Sequence, residues 1–135
     1  MNGKKVGEFT LDAARAGEHG TPVIMTSGDD KFCAEARSVV RNVVAVQVKE
    51  GISRESGKLL PMAQAQQKIH AGALKAVKNY RRIKPLKIRP PVTFRLELVN
   101  EIPAAFMRPG VKIIDGRTYE VTGRNVEETV NSLIY

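Results

Sequence analysis

The residues able to do chemistry in this chain form a short inventory: two histidines, His19 and His70, one cysteine, Cys33, and 14 aspartates and glutamates. A metal ion needs three or four donors that converge. Glu8, Asp12 and His19 share one helical neighbourhood, but eleven residues of helix between Glu8 and His19 span ~16 Å, too far for one ion. His19 and His70 stand apart with no HxxxH or HxH pattern, and Cys33 has no second thiol, so a complete zinc site within these residues is not expected. Nucleophilic catalysis fares no better, because no GxSxG elbow is present and Cys33 lies among Phe32, Ala34 and Ala36, where a buried inert thiol is the better reading. Neither GxGxxG nor GxxxxGK occurs to cradle a phosphate. Ser27-Gly28-Asp29-Asp30 follows a predicted strand, at the place where open α/β sheets bind ligands. A helix cap explains the two aspartates equally simply and is preferred.

The elements that must position these residues follow from periodicity. Asn2-Gly3 is a type I′ hairpin signal that asks for an upstream strand, so the chain reads as beginning within a structural unit; a solvated N-terminal arm is the plainer alternative. Phe9, Ala13, Ala14 and Ala16 predict a helix over residues 7–19, with Gly20 as its terminator. A short strand over 21–26, a helix over about 30–40 and a β-branched strand over 43–48 make a parallel βαβ unit. Residues 51–58 read as a polar loop. Pro61 opens a long helix to about Tyr80. At 100° per residue, its Met62, Ala65, Ile69, Ala73, Ala76, Val77 and Tyr80 share one side, with Lys68, Lys75, Lys78 and Arg82 roughly opposite. Three prolines make 81–91 an extended connector. Phe94, Leu96 and Leu98 alternate with Arg95 and Glu97 in a strand over 93–99, and 102–107 reads as a helical turn. A hairpin over 111–121 turns at Asp115-Gly116, and Asn125 caps a last helix. The expected fold class is therefore α/β: a βαβ core, a long amphipathic helix and a C-terminal β-hairpin, with residues 1–135 as a single domain.

Composition narrows the class of function. With 42% hydrophobic and 27% charged residues the chain can build a packed core, and the longest apolar runs, such as Val43-Val44-Ala45-Val46, fall far short of the ~20 residues that span a bilayer. Lack of a signal-type stretch and a lone cysteine favour a cytoplasmic setting. The formal charge of +8 is a local excess: residues 41–91 hold twelve bases against Glu50 and Glu55, net +10, while 1–40 and 92–135 are each net −1. This stripe could meet RNA or another polyanion through residues 68–89. With only 5% aromatic residues, no Trp and no recognition motif, a solvated helix face is the better reading, and a nucleic-acid partner is not favoured.

One block carries more. VGEFTLDAARAGEHGTPVIMTSGDDKFCAEA, Val6 to Ala36, followed by VQVKEGISRESGKLLP, Val46 to Pro61, resembles the second half of the DppA-type D-aminopeptidases, a family of zinc peptidases. The likeness continues more weakly through IKPLKIRPPVTFRLEL and MRPGVKIIDGRTYEVTG. It implies a zinc-dependent hydrolase that removes N-terminal D-amino acids from short peptides, cytoplasmic and homo-oligomeric, with this chain as its C-terminal portion. Of the family's metal ligands, the glutamate of a Val-Gly-Glu segment matches Glu8; His19 and His70 fall outside the family's histidine motifs. One carboxylate cannot hold a catalytic zinc, so the resemblance implies a truncated or split enzyme, inactive by itself. Asp29, Asp30 and Arg54 lie in matching segments without an assigned role. A non-enzymatic basic binding module, and an assembly fragment that kept an oligomer surface, are the alternatives.

Overall fold

The computed structural model describes residues 1–100 and 108–134, which divide into two compact units, Val6–Leu86 and Met1–Lys5 with Lys87–Tyr135. The helical turn expected over 102–107 lies outside the described residues.

In the first unit, α1 (Glu8–Glu18) buries Phe9, Thr10, Ala13, Ala14 and Gly17 on one face. It ends as the sequence predicts: Gly20 takes φ +74, and the N–H groups of Gly20 and Thr21 donate to the Gly17 and Ala16 carbonyls. β1 (Met25–Gly28), α2 (Asp30–Val39) and β2 (Val44–Gln47) form the predicted βαβ unit, the two strands pairing in parallel with Met25 opposite Val44. α1 and α2 share a face of this pair: Phe9, Ala13, Ala36, Val40, Val43 and Ile83 form the core, with Ile24 and Ala45 against it. Phe9 and Phe32 meet edge to face at 5.8 Å.

The stretch expected to be a polar loop is in part a hairpin, β3 (Lys49–Gly51) antiparallel to β4 (Gly57–Leu59). Apart from the exposed Leu59 its strands carry only Lys, Glu and Gly, so no alternation marks it; pairing across Ser53 and Ser56, whose hydroxyls are 2.7 Å apart, does the work that a hydrophobic face does elsewhere.

The long helix α3 (Met62–Asn79) has the expected span but docks differently. Its closest residues to the sheet are small: Gly72 and Ala76 are buried and Ala65 half-buried, whereas Met62 is 74% and Val77 63% exposed. A Cβ on Gly72 would sit 2.4 Å from Val46 Cγ2 and 3.2 Å from Met25 Cε. Close approach selects the smallest side chains, so the seam runs along 65, 72 and 76. Lys68 and Lys75 flank that seam rather than oppose it, since on a 100° wheel they lie within about 90° of Gly72.

The second unit is a three-stranded antiparallel sheet, β5 (Val92–Glu97), β7 (Thr118–Gly123) and β6 (Lys112–Ile113) in that order, covered by α4 (Val126–Ile134). Val92 and Phe94 point into the core with Tyr119 and Val121 of β7, and with Val126, Thr129 and Val130 of α4. On the wet face Arg95 pairs with Glu120 directly across at 2.7 Å. Asn125 caps α4, its Oδ1 accepting from Glu128 N–H at 2.8 Å, as its sequence position predicts. The Asn2-Gly3 turn is present, with φ +46 and +76 and Lys4 N–H donating to the Met1 carbonyl. Asn2 docks on β5, donating its N–H to the Thr93 carbonyl and accepting from Thr93 N–H at Oδ1.

Candidate functional site

Val6-Gly7-Glu8 forms the entry to α1. Helix entries expose N–H groups that need acceptors, and Gly7 at the N-cap has no side chain to supply one. The acceptor comes from 28 residues away: Glu35 Oε1 on α2 accepts from Gly7 N–H at 2.6 Å and from Thr10 N–H at 3.2 Å, and also from the Thr10 hydroxyl. A Cβ on Gly7 would lie 2.4 Å from Glu35 Oε2, so glycine is what lets the carboxylate reach this helix end. Sequence reasoning missed Glu35. The signal was the unfilled cap: no Ser, Thr, Asp or Asn precedes α1 where a helix start wants one.

Glu8 sits in the first turn that Glu35 secures, and it is exposed. Among the described residues its carboxylate takes part in no hydrogen bond or ion pair. The positive end of the helix dipole favours the charge there. The other candidates are not brought to it. Asp12 lies one turn further along α1 and is exposed, His19 is at the opposite end of that helix, and His70 is exposed on α3. Among the described residues no three of His, Cys, Asp and Glu converge on a common point. Glu8 is a single donor, and the described residues do not compose a zinc site by themselves.

Cys33 is fully buried, and burial raises its thiol pKa, in keeping with an inert side chain.

The turn at the carboxyl end of β1 resolves into defined roles. Asp29 caps α2, its Oδ1 accepting from Phe32 N–H at 2.8 Å. Asp30 reaches the other way: its Oδ1 accepts from Gly51 N–H at 2.8 Å, and Lys31 Nζ donates to the Gly51 carbonyl at 2.8 Å. The Gly51 amide, with Lys31 beside it, holds the Asp30 carboxyl below the usual carboxylate range. The two side chains thus clasp the turn end of β3 to α2. Asp29 and Arg54 line one open groove of about 310 Å³ with Lys49, Glu50 and Ser53. The segments that sequence analysis singled out separately therefore meet at the carboxyl ends of the parallel strands.

A D-aminopeptidase family profile matches residues 1–134. A D-aminopeptidase of Bacillus subtilis (strain 168) is 33% identical over 120 residues, which is 87% of this chain and 44% of that protein. The solved structure of the Zn-dependent D-aminopeptidase DppA from Bacillus subtilis, described as a self-compartmentalizing protease, superposes with a TM-score of 0.88 at 29% identity, covering 98% of this chain and 50% of that one. The chain spans about half the length of these relatives. No helix among the described residues is long and apolar enough to cross a membrane.

Proposed function

The chain belongs to the D-aminopeptidase family, and from that premise we propose that residues 1–135 act together as the C-terminal portion of a zinc-dependent enzyme releasing N-terminal D-amino acids from short peptides. The observation that carries this reading is the match of nearly the whole fold to one half of a Zn-dependent D-aminopeptidase. Glu8 is the residue of this chain assigned to the metal. Its carboxylate is exposed, held on a helix turn that Glu35 fixes, and makes no bond among the described residues that a metal would have to break.

A bound zinc would supply a polarised carbonyl and an activated water, and it needs several protein ligands to do so. With one donor here, the remaining ligands come from the half of the enzyme that this chain does not match, and the 135 residues are inactive by themselves. We assign the intact enzyme to the cytoplasm, and to a homo-oligomer, the latter in line with the self-compartmentalizing description of its structural relative.

The test combines the chain with the half of the Bacillus subtilis D-aminopeptidase that it does not match, loads zinc, and follows D-alanine release from D-Ala-D-Ala. Release is expected from the assembled protein and not from the chain alone, and Glu8→Gln should lower it by about a hundredfold or more, since loss of even a hydrogen-bonding partner behind a metal ligand costs ~10–100-fold. Full activity of Glu8→Gln would remove the ligand assignment. No release from an assembled, zinc-loaded protein would remove the enzyme reading.

A further inference from the structure

A side chain closes the edge of β2 that faces away from β1. Val44 and Val48 turn their N–H groups to β1, donating to the Ile24 and Gly28 carbonyls at 3.1 and 3.0 Å. Successive residues of a parallel strand face opposite edges, so Ala45 points outward. There Arg37 of α2 donates to the Ala45 carbonyl at 2.8 Å. That bond tethers the guanidinium and leaves most of its five N–H donors unused.

Beside this tether lies an open groove of about 450 Å³. α3 lends it Lys75 and Asn79, the turn Tyr80–Arg82 that follows α3 lends Arg82, and Asn42 with residues 43–45 completes the wall. Asn42, at φ +68, joins the two sides by donating from Nδ2 to the Arg82 carbonyl at 3.2 Å. Asn79 Nδ2 donates to the Lys75 carbonyl at 2.8 Å, and each of these amide nitrogens keeps a second N–H. No carboxylate lines the groove, and among the described residues the Arg37, Lys75 and Arg82 side chains form no ion pair. The groove of Asp29, Glu50 and Arg54, by contrast, carries its own counter-charges. Bases in the last turn of a helix answer its dipole. That accounts for Arg37 on α2 and Lys78 on α3, but not for Lys75, a turn before the end of α3. A cleft lined by one sign of charge concentrates ions of the other.

We infer that this groove binds a small phosphate-class anion carrying two or more negative charges. Two guanidinium forks match phosphate oxygens in pairs, the ammonium adds a point charge, and the two amides add neutral donors. This site goes beyond the proposed function and does not depend on it.

The test titrates inorganic pyrophosphate into the whole chain at low ionic strength and follows heat and side-chain amide NMR signals. Saturable one-to-one binding is expected, with the Asn42 and Asn79 amide signals shifting and that of Asn125, in the other unit, unmoved. Lys75→Gln and Arg82→Gln should each keep the melting temperature, because neither side chain is bonded among the described residues, and raise Kd at least about fivefold, as loss of a charged hydrogen bond at a site open to water does. Lys78→Gln and Arg81→Gln make the same change in net charge outside the groove, Arg81 lying over the Tyr80 ring at 5.7 Å. They should raise Kd no more than about twofold, since solvent and salt screen distant charges. Equal weakening by all four variants would show attraction to net charge and overturn the site. Citrate binding as tightly as pyrophosphate overturns the phosphate class. A single-stranded oligonucleotide that binds where pyrophosphate does not would make the basic surface a strand-binding one and overturn the groove. So does failure to saturate by about 10 mM pyrophosphate, where a millimolar site would be filled.

Discussion

Of the three sheets among the described residues, the antiparallel sheet β5–β7–β6 and the parallel pair β1–β2 bury their apolar side chains in contrasting ways. The antiparallel sheet β5–β7–β6 does so largely with its own sequence. One face carries Val92, Phe94, Tyr119 and Val121 under α4, the other carries Arg95 against Glu120 and Thr93 against Thr122, whose hydroxyls are 2.8 Å apart. The parallel pair β1–β2 relies instead on main-chain proximity: Gly72 lets α3 onto Val46, and Gly17 lets α1 onto the chain at Leu86. A sheet with one wet face tolerates water at its rim, and a sheet sandwiched between helices has no such outlet. Defects should therefore fall more heavily on the parallel unit.

The largest expected effect is Gly17→Ala. The added Cβ would lie 1.8 Å from the Leu86 carbonyl oxygen, a main-chain atom that cannot rotate aside. A loss at the upper end of the ~1–3 kcal/mol typical of overpacking is expected in urea unfolding. Exchange of the Val44 and Val48 amides should rise first. If the Phe94 and Val121 amides lose protection equally, the contrast between the two sheets fails.

Smaller is the effect of Glu35→Ala, which strips the acceptor from the entry of α1. Loss of an N-cap costs about 1–2 kcal/mol, and the Gly7 and Thr10 amides should exchange faster while those of β5 do not. Glu35→Gln, which keeps an acceptor oxygen, should recover most of it. Equal damage from both variants would show that charge rather than capping holds this helix end.

The smallest concerns acid. In the antiparallel unit Asp115 accepts from the Arg117 and Thr118 N–H groups, both at 2.8 Å, and the Arg117 amide above all lowers its pKa. A carboxyl depressed on folding stabilises the protein above its unfolded pKa, and that contribution disappears as pH falls through the folded value. Asp115→Asn should flatten the fall in melting temperature below about pH 4, the ordinary range of an aspartate. Asp30 holds the corresponding position in the parallel unit through Gly51. Asp30→Asn should flatten the same limb, and an unchanged acid limb in both variants would show that neither bond is made in solution.

Legibility in the sequence followed the same division. The alternation of Phe94 and Leu96 with Arg95 and Glu97, the Asp115-Gly116 turn and the Asn125 cap are local signals, and the structure has them where the residues predict. The βαβ order was legible from β-branched runs, although β1 sits later than expected, at Met25–Gly28 rather than over 21–26, because its pairing with Val44 to Gln47 sets its limits. The β3–β4 hairpin was not, since Lys49, Glu50 and Lys58 advertise only solvent. The seam of α3 was misjudged for a related reason: hydrophobicity ranks Met62 and Val77 above Gly72, but close approach to a sheet rewards absence of a side chain. Glu8 was singled out by family resemblance, and its setting depends on Glu35, a partner that only the tertiary fold brings near.

Gly72 has a further mechanical consequence. Along α3, the residues one turn away on the same side are Lys68 and Ala76, and each carries a Cβ where Val46 Cγ2 leaves no space for one. Sliding the helix by one turn, about 5.4 Å, would drive one of them into that methyl group. The glycine thus acts as a keyway cut for Val46, with one axial setting for the helix on its sheet. Everything carried by α3, its basic flank and its exposed Met62 and Val77 alike, is indexed along the strands by a residue with no side chain.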